Sequence, residues 1–238
     1  MTSVGCPFSC TYCASNYLQP EYKRLPVEVT FKRLEFYHNQ YGTTNFSFFD
    51  DALLFDSGNH IIPLLKKCIS SKLPVSFHTP NGLHARFITA ELAKLMYDSG
   101  FRTLRLSLET TDTNRQKKTG GKIYSHEMEK SISYLYDAGF KPENFAVYLL
   151  VGLPGQSKDE IERDIQVVHN MKARIELASF TPLPHTSVWR NLEKNNIVSK
   201  EKILLHNKAV FFLQDKTFTL DYMRELRKCV SDLNNAIK

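Results

Sequence analysis

Cys6, Cys10 and Cys13 fall within the run Gly5-Cys6-Pro7-Phe8-Ser9-Cys10-Thr11-Tyr12-Cys13. Three thiolates so closely spaced can ligate three irons of a 4Fe-4S cluster, and the fourth iron, with no protein ligand from this run, is then open to a small molecule. An open iron is a place for chemistry rather than a structural staple. Two rival readings fit the spacing less well. A closed zinc site needs a second cysteine pair or two histidines at short spacing. Cys68 and Cys229 stand alone, however, and His38, the nearest histidine, opens no His-x-x-x-His, so zinc would borrow a distant ligand. A disulfide framework is disfavoured by five cysteines, an odd number, and by a chain that shows no secretory signal and is long enough to build a core.

The elements that would position these thiols appear as a rhythm. Five apolar or β-rich runs, at 46–49, 75–79, 103–108, 145–151 and 175–180, are each followed by turn residues, and most by a helix-period stripe. The stripes are Ile61, Leu64, Leu65, Cys68 and Ile69, then Leu92, Leu95 and Met96, then Met128, Ile132 and Leu135, and then Ile161, Ile165, Val168 and Met171. Ser157-Lys158-Asp159-Glu160 reads as a capping box opening the last of these helices, just after a Pro154-Gly155 turn. Repeated βα units build a parallel sheet covered by helices, either a barrel or an open doubly wound sheet. Only Met1, Thr2, Ser3 and Val4 precede the Gly5 corner, so the strand leading into the cysteine loop is expected to be truncated. Either the chain begins inside a longer protein or a shortened strand is tolerated. From Ser199 onward, one helix pattern runs through Ile203 and Phe211, and another places Tyr222, Leu226, Cys229, Val230 and Leu233 on one face, which makes Cys229, like Cys68, a core residue.

With 238 residues, 42% hydrophobic and 24% charged, the composition is that of a globular protein, and no apolar run approaches a membrane span. Without a basic, apolar leader the cytoplasm is the expected compartment. A net charge of +6 leaves nucleic acid open as a partner, although the lysines are scattered along solvated helix faces.

Cys-x-x-x-Cys-x-aromatic-Cys is the signature of the radical SAM superfamily, and Cys6, Cys10, Tyr12 and Cys13 match it position by position. The resemblance implies an α/β fold, a partial six-stranded (β/α) barrel with a truncated first strand over 1–190, and a C-terminal helical appendage over 191–238. It implies a 4Fe-4S cluster on the three cysteines, with S-adenosylmethionine (SAM) chelating the open iron and Tyr12 packed beside the adenine. In that family the reduced cluster passes an electron to SAM, whose carbon–sulfur bond breaks, and the 5′-deoxyadenosyl radical takes a hydrogen from substrate. An external reductant such as flavodoxin or ferredoxin is implied, and the substrate is unknown.

Further motifs follow the candidate strands, where βα barrels place their active sites. Phe49-Asp50-Asp51 stands where the family's commonest form has Gly-Gly-Glu, and resembles the form found in cobalamin-associated members; Asp50 or Asp51 would meet the SAM ammonium, or simply cap a helix. Cobalamin itself would need a domain that this chain does not contain. Pro80-Asn81-Gly82 is a turn, flanked by His78 and His84, for each of which a hydrogen-bonded structural role is the default. Glu109, ending an apolar strand, is the first choice for a contact to the SAM ribose, and Ser107 the second. The basic run at 115–122 resembles the family's stretch after this strand and receives no role. Gly152, in Val151-Gly152-Leu153-Pro154-Gly155, resembles the turn that lets backbone approach adenosine. His185 replaces an expected glycine in Pro184-His185-Thr186, so either the turn lacks a left-handed residue or the imidazole projects toward substrate. Alternatives to a general radical SAM enzyme are a tRNA-modifying member of the same family and, from another class, a zinc-stabilised nucleic-acid-binding module.

Overall fold

The structure is a computed structural model that describes residues 1–207 and 217–237. Its centre is a parallel sheet in the order β3 (Asn45–Ser47), β4 (Ser76–His78), β5 (Phe101–Glu109), β6 (Phe145–Val151) and β7 (Arg174–Ser179). Each strand coincides with one of the β-rich runs, because β-branched and aromatic residues suit a pleated, buried surface. Between them run α3 (Ile61–Ser70), α4 (Ala90–Asp98), α6 (Ser125–Ala138) and α7 (Lys158–Asn170), while α2 (Val27–Tyr41) precedes β3. Their apolar stripes bury Leu65, Met96, Leu135 and Val168 against Phe77, Leu104, Val147 and Leu149 of the sheet in one continuous core.

A parallel sheet covered on both faces normally reads as unbroken apolar runs. Here the other face carries charged and polar side chains among its apolar ones. Arg105 of β5 pairs with Glu176 of β7 at 2.5 Å, and His78 bridges Thr103 and Asn45 at 3.1 Å on either ring nitrogen. This concave, half-exposed face is the open inside of a partial barrel rather than a second helix-packing surface.

The expected six strands are five in this sheet. β1 (Ser3–Val4) stands outside it and pairs antiparallel with β2 (Lys23–Arg24), on the far side of α1 (Ser15–Leu18). No ladder joins β1 to β3, and a side chain makes the link instead. Oδ1 of Asp50, just beyond β3, accepts from the backbone N–H groups of Thr2 (2.8 Å) and Ser3 (2.5 Å) and from both their hydroxyls (2.7 Å each).

The capping box is half realised. Ser157 Oγ accepts from Glu160 N–H at 3.1 Å, but the Glu160 carboxylate turns away to Arg115 on α5 (Thr113–Lys118). The ion pair outcompetes the local cap because Arg115 also donates to the carbonyls of Pro154 and Gly155, both at 3.1 Å, clamping three segments together.

Beyond β7, α8 (Ser187–Lys194) carries Trp189 and Leu192 into a second cluster with Leu153, Phe180 and Val198. α9 (Leu220–Ala236) packs on β7 and α7 through Met223, Leu226 and Val230. Cys229 was expected on this stripe, but it is exposed, since the buried line passes through its neighbour Val230. Ile203 lies in a 3-10 turn, Lys200–His206, and is also exposed. Phe211 falls outside the described residues. Cys68 is buried in α3, as its stripe requires. Among the described residues no helix is long and apolar enough to cross a membrane.

Candidate active site

The cysteine loop begins at Gly5, whose φ of 78° and whose missing side chain are both required, because a Cβ there would lie 2.6 Å from the Glu21 carbonyl oxygen. Phe8, between the first two cysteines, anchors the loop in an aromatic box, stacked on His84 at 4.6 Å and edge-on to Phe55 at 6.0 Å. From behind, Thr11 donates its N–H to Thr119 and accepts from Val188 N–H, each at 3.1 Å. Gly120 approaches so closely that a Cβ would sit 3.1 Å from Cys10 Cα. Four distant segments therefore fix one short loop.

The three thiols line one cleft of about 320 Å³ together with Tyr12, Asp51, Gly82, His84, Ser107, Lys122 and Tyr148. Larger cavities lie along α2 and β3 (about 630 Å³) and between α5 and α8 (about 520 Å³), but none of the three cysteines lines either. Among the described residues no three metal-ligating side chains converge on a single ion. All three thiols are free. Thiols spread around one cleft suit a polynuclear cluster, in which each iron takes its own thiolate.

Burial pushes the Cys6 and Cys10 thiols above their ordinary range, and the nearby Lys122 ammonium acts in the opposite sense on both. Tyr12 is hydrogen-bonded to Cys10, and burial followed by the Glu109 charge drives its phenol far upward, so it stays neutral. Burial holds His84 down to about 3, with Lys122 and Arg86 adding to the effect, so the imidazole stacked on Phe8 is uncharged at neutral pH.

Glu109 ends β5 at a φ of 72°, after a register shift that separates it from Ser107. A non-glycine residue in the left-handed region is uncommon and marks a position that the surroundings enforce. Its carboxylate pairs with Lys122 at 3.5 Å, both side chains largely buried. Ser107 lies at the floor, so near Gly82 that a Cβ there would fall 1.9 Å from its Oγ. The Pro80-Asn81-Gly82 turn is stitched to its neighbours by Asn81 Nδ2 donating to the Phe49 carbonyl (2.8 Å) and Tyr148 donating to that of Pro80 (3.2 Å).

Asp50 and Asp51 part company. Asp51 lines the cleft, whereas Asp50 is buried outside that lining, with Oδ1 committed to Thr2 and Ser3 and Oδ2 without a hydrogen-bond partner among the described residues. Gly152 sits at a φ of 91° and donates its N–H to Gln156 Oε1 at 2.9 Å. It does not line the cysteine cleft; its turn faces the cavity between α5 and α8 through Leu153, Pro154 and Gly155. His185 does adopt the left-handed conformation, with a φ of 68°. Its ring stacks face to face on Tyr17 of α1 at 3.7 Å, outside the cleft lining. Among the cleft residues that sequence reasoning missed are Phe8 and Ser15 of the cysteine segment, Lys122, hidden in a basic run, and Tyr148, inside an apolar strand.

A family model of the radical SAM superfamily matches residues 1–168. The chain belongs to that superfamily of enzymes, whose cofactors are a 4Fe-4S cluster and SAM. One curated relative, named an uncharacterized methyltransferase of Pyrococcus horikoshii, is 25% identical over 206 residues, covering 83% of this chain and 42% of that protein. Another, named a probable threonylcarbamoyladenosine tRNA methylthiotransferase of the same organism, is 22% identical over 211 residues, covering 85% and 49%. The chain thus spans less than half the length of either relative. Among solved structures, the radical SAM methyltransferase TsrM from Kitasatospora setae, with cobalamin and a 4Fe-4S cluster bound, superposes with a TM-score of 0.70 at 14% identity, over 82% of this chain and 38% of that one. Coproporphyrinogen III oxidase from Escherichia coli gives 0.63 at 12% identity, over 97% and 51%. At such identities these two speak for the fold, a partial barrel.

Proposed function

We propose that Cys6, Cys10 and Cys13 hold a 4Fe-4S cluster, that SAM binds in the adjoining cleft, and that the concave face of the sheet receives the substrate. The observation that carries this is the cleft itself, where three free thiols meet the Lys122 cation, the Asp51 carboxylate, serine and tyrosine hydroxyls and aromatic rings. Bound there, cluster and SAM supply a carbon-centred radical for hydrogen abstraction once an external one-electron reductant has acted. The chain's own residues bind and orient. Asp51 offers an anion to the methionine ammonium, and Lys122 a cation to its carboxylate. Ser107 and Glu109 offer acceptors to the ribose, and neutral Tyr12 a flat apolar surface to the adenine. Gly152, its N–H already used, contributes only a backbone without a side chain. We assign the body of this chemistry to residues 1–190, with 191–238 as its helical extension.

Methyl or methylthio transfer is the finer reading, drawn from the names of the two relatives, and cobalamin would enter only through a further domain. Anaerobic reconstitution tests the core claim. About four irons per chain are expected, together with reductive SAM cleavage, and both should vanish in the Cys6→Ala/Cys10→Ala/Cys13→Ala chain. One tightly held zinc and no iron would instead favour the nucleic-acid-binding module. Asp51→Asn is expected to weaken SAM binding about tenfold while leaving iron content unchanged, measured by equilibrium dialysis.

A further inference from the structure

Cys6 and Cys10 are half-buried, whereas Cys13 is exposed. Behind Cys13 the chain enters α1, which has no buried side chain and no side-chain cap at its start. The hydrogen bonds of its side chains reach only the cysteine segment: Ser15 Oγ accepts from Cys13 Sγ at 3.2 Å, and Asn16 Nδ2 donates to Ser9 Oγ at 3.3 Å. A helix this short does not hold itself together in water, so an outside contact must fix it. Tyr17 supplies one: its ring centroid lies 3.7 Å from that of His185, with the two planes 6° apart. His185 sits on a rigid support. Its carbonyl accepts from Arg190 Nη1 at 3.1 Å, and Thr186 beside it caps α8 by accepting from the N–H of Trp189, which is buried in the second cluster. A non-glycine residue at a φ of 68° is held against its backbone preference, and what the position gains from His185 is the ring.

We infer that Tyr17 and His185 are positioning residues, whose stack latches α1 to the turn before α8, holds Cys13 on its iron and sets how slowly the cluster is lost. The inference rests on the proposed cluster. Val188, at the start of α8, donates its N–H to the Thr11 carbonyl at 3.1 Å. Cys13 lies between Thr11 and Tyr17, so both flanks of the exposed ligand are tied to one support. A ligand oriented from behind binds metal at least about tenfold more tightly than one left to find its own geometry.

The test uses His185→Gly and Tyr17→Ala, which each remove one ring, and Tyr17→Phe, which keeps both. Before reconstitution, hydrogen exchange is read at the Tyr17, Leu18 and Gln19 amides, which donate to the Ala14 and Ser15 carbonyls. It is expected to quicken about tenfold in the first two variants and not in Tyr17→Phe, with β5 and β6 unaffected. After reconstitution, iron release to a chelator should quicken about tenfold in the same two variants, again not in Tyr17→Phe. The double variant His185→Gly/Tyr17→Ala should be no worse than either single one, since both remove the same contact. His185→Gly also relieves the left-handed backbone, so its melting temperature is expected to hold or rise while its cluster becomes more labile. Iron release unchanged without the rings, Tyr17→Phe as labile as Tyr17→Ala, or iron loss that merely tracks a lowered melting temperature would each overturn the latch. A chain that takes up no iron but shows the exchange pattern would sink the cluster and leave the latch standing.

Discussion

At Gly5 the chain turns out of β1 with a backbone carbonyl where a side chain would begin. Gly5→Ala adds both a steric clash and a strained left-handed φ, together about 1–3 kcal/mol. It is expected to lower thermal stability and to reduce iron bound per chain, measured by differential scanning fluorimetry and iron assay; full iron at unchanged melting temperature would refute the requirement. His60 offers a second test. Its Nε2 meets Thr2 Oγ1 at 2.7 Å, and that hydroxyl also bonds Asp50. Burial lowers the His60 pKa, with Arg24 assisting. The unfolded chain then takes up a proton below the ordinary histidine value of about 6.5 while the folded chain resists, so stability falls as pH drops through that window. His84 extends the loss down to about 3. A melting temperature that falls from pH 7 to 5, and falls less in His60→Gln, is expected. The cysteines, Tyr12 and Ser107 could be placed from short local patterns. Lys122 could not, because only the turn after α5 carries it to the cleft, and adjacent Asp50 and Asp51 diverge for reasons set by the distant N-terminus.

Among elements, strands and helix stripes were legible because periodicity records which face is buried. Tertiary competition was not. Glu160 follows the capping pattern in sequence yet serves Arg115, which also grips the 154–155 carbonyls. Arg115→Met leaves that largely buried carboxylate unpaired, and a loss of about 3 kcal/mol is expected in urea denaturation. Arg115→Met/Glu160→Met should recover much of it, since the pair's worth lies chiefly in avoiding an uncompensated charge. At the sheet's far edge, the Asn234 amide pairs with both the N–H and carbonyl of Ile175 (2.8 and 2.9 Å), letting α9 stand in for a neighbouring strand. No helix-period pattern announces such a contact.

For the molecule as a whole, the cysteine loop is bonded to segments near 119 and 188, as well as to the aromatic box around Phe8. Anything that binds the folded loop and not the unfolded chain stabilises all of them. Cluster loading is thus expected to raise the melting temperature of the whole domain, and oxidative loss of the iron to lower it in one cooperative transition. A loading-independent melting curve would mean that the loop is energetically isolated. The tether of the N-terminus has its own kinetic signature. The Thr2 and Ser3 amides rest on one carboxylate oxygen rather than on a strand ladder. Their hydrogen exchange therefore reports the rotamer of Asp50 and not the opening of the sheet, so both amides should lose protection together in Asp50→Ala while those of β4 and β5 keep theirs.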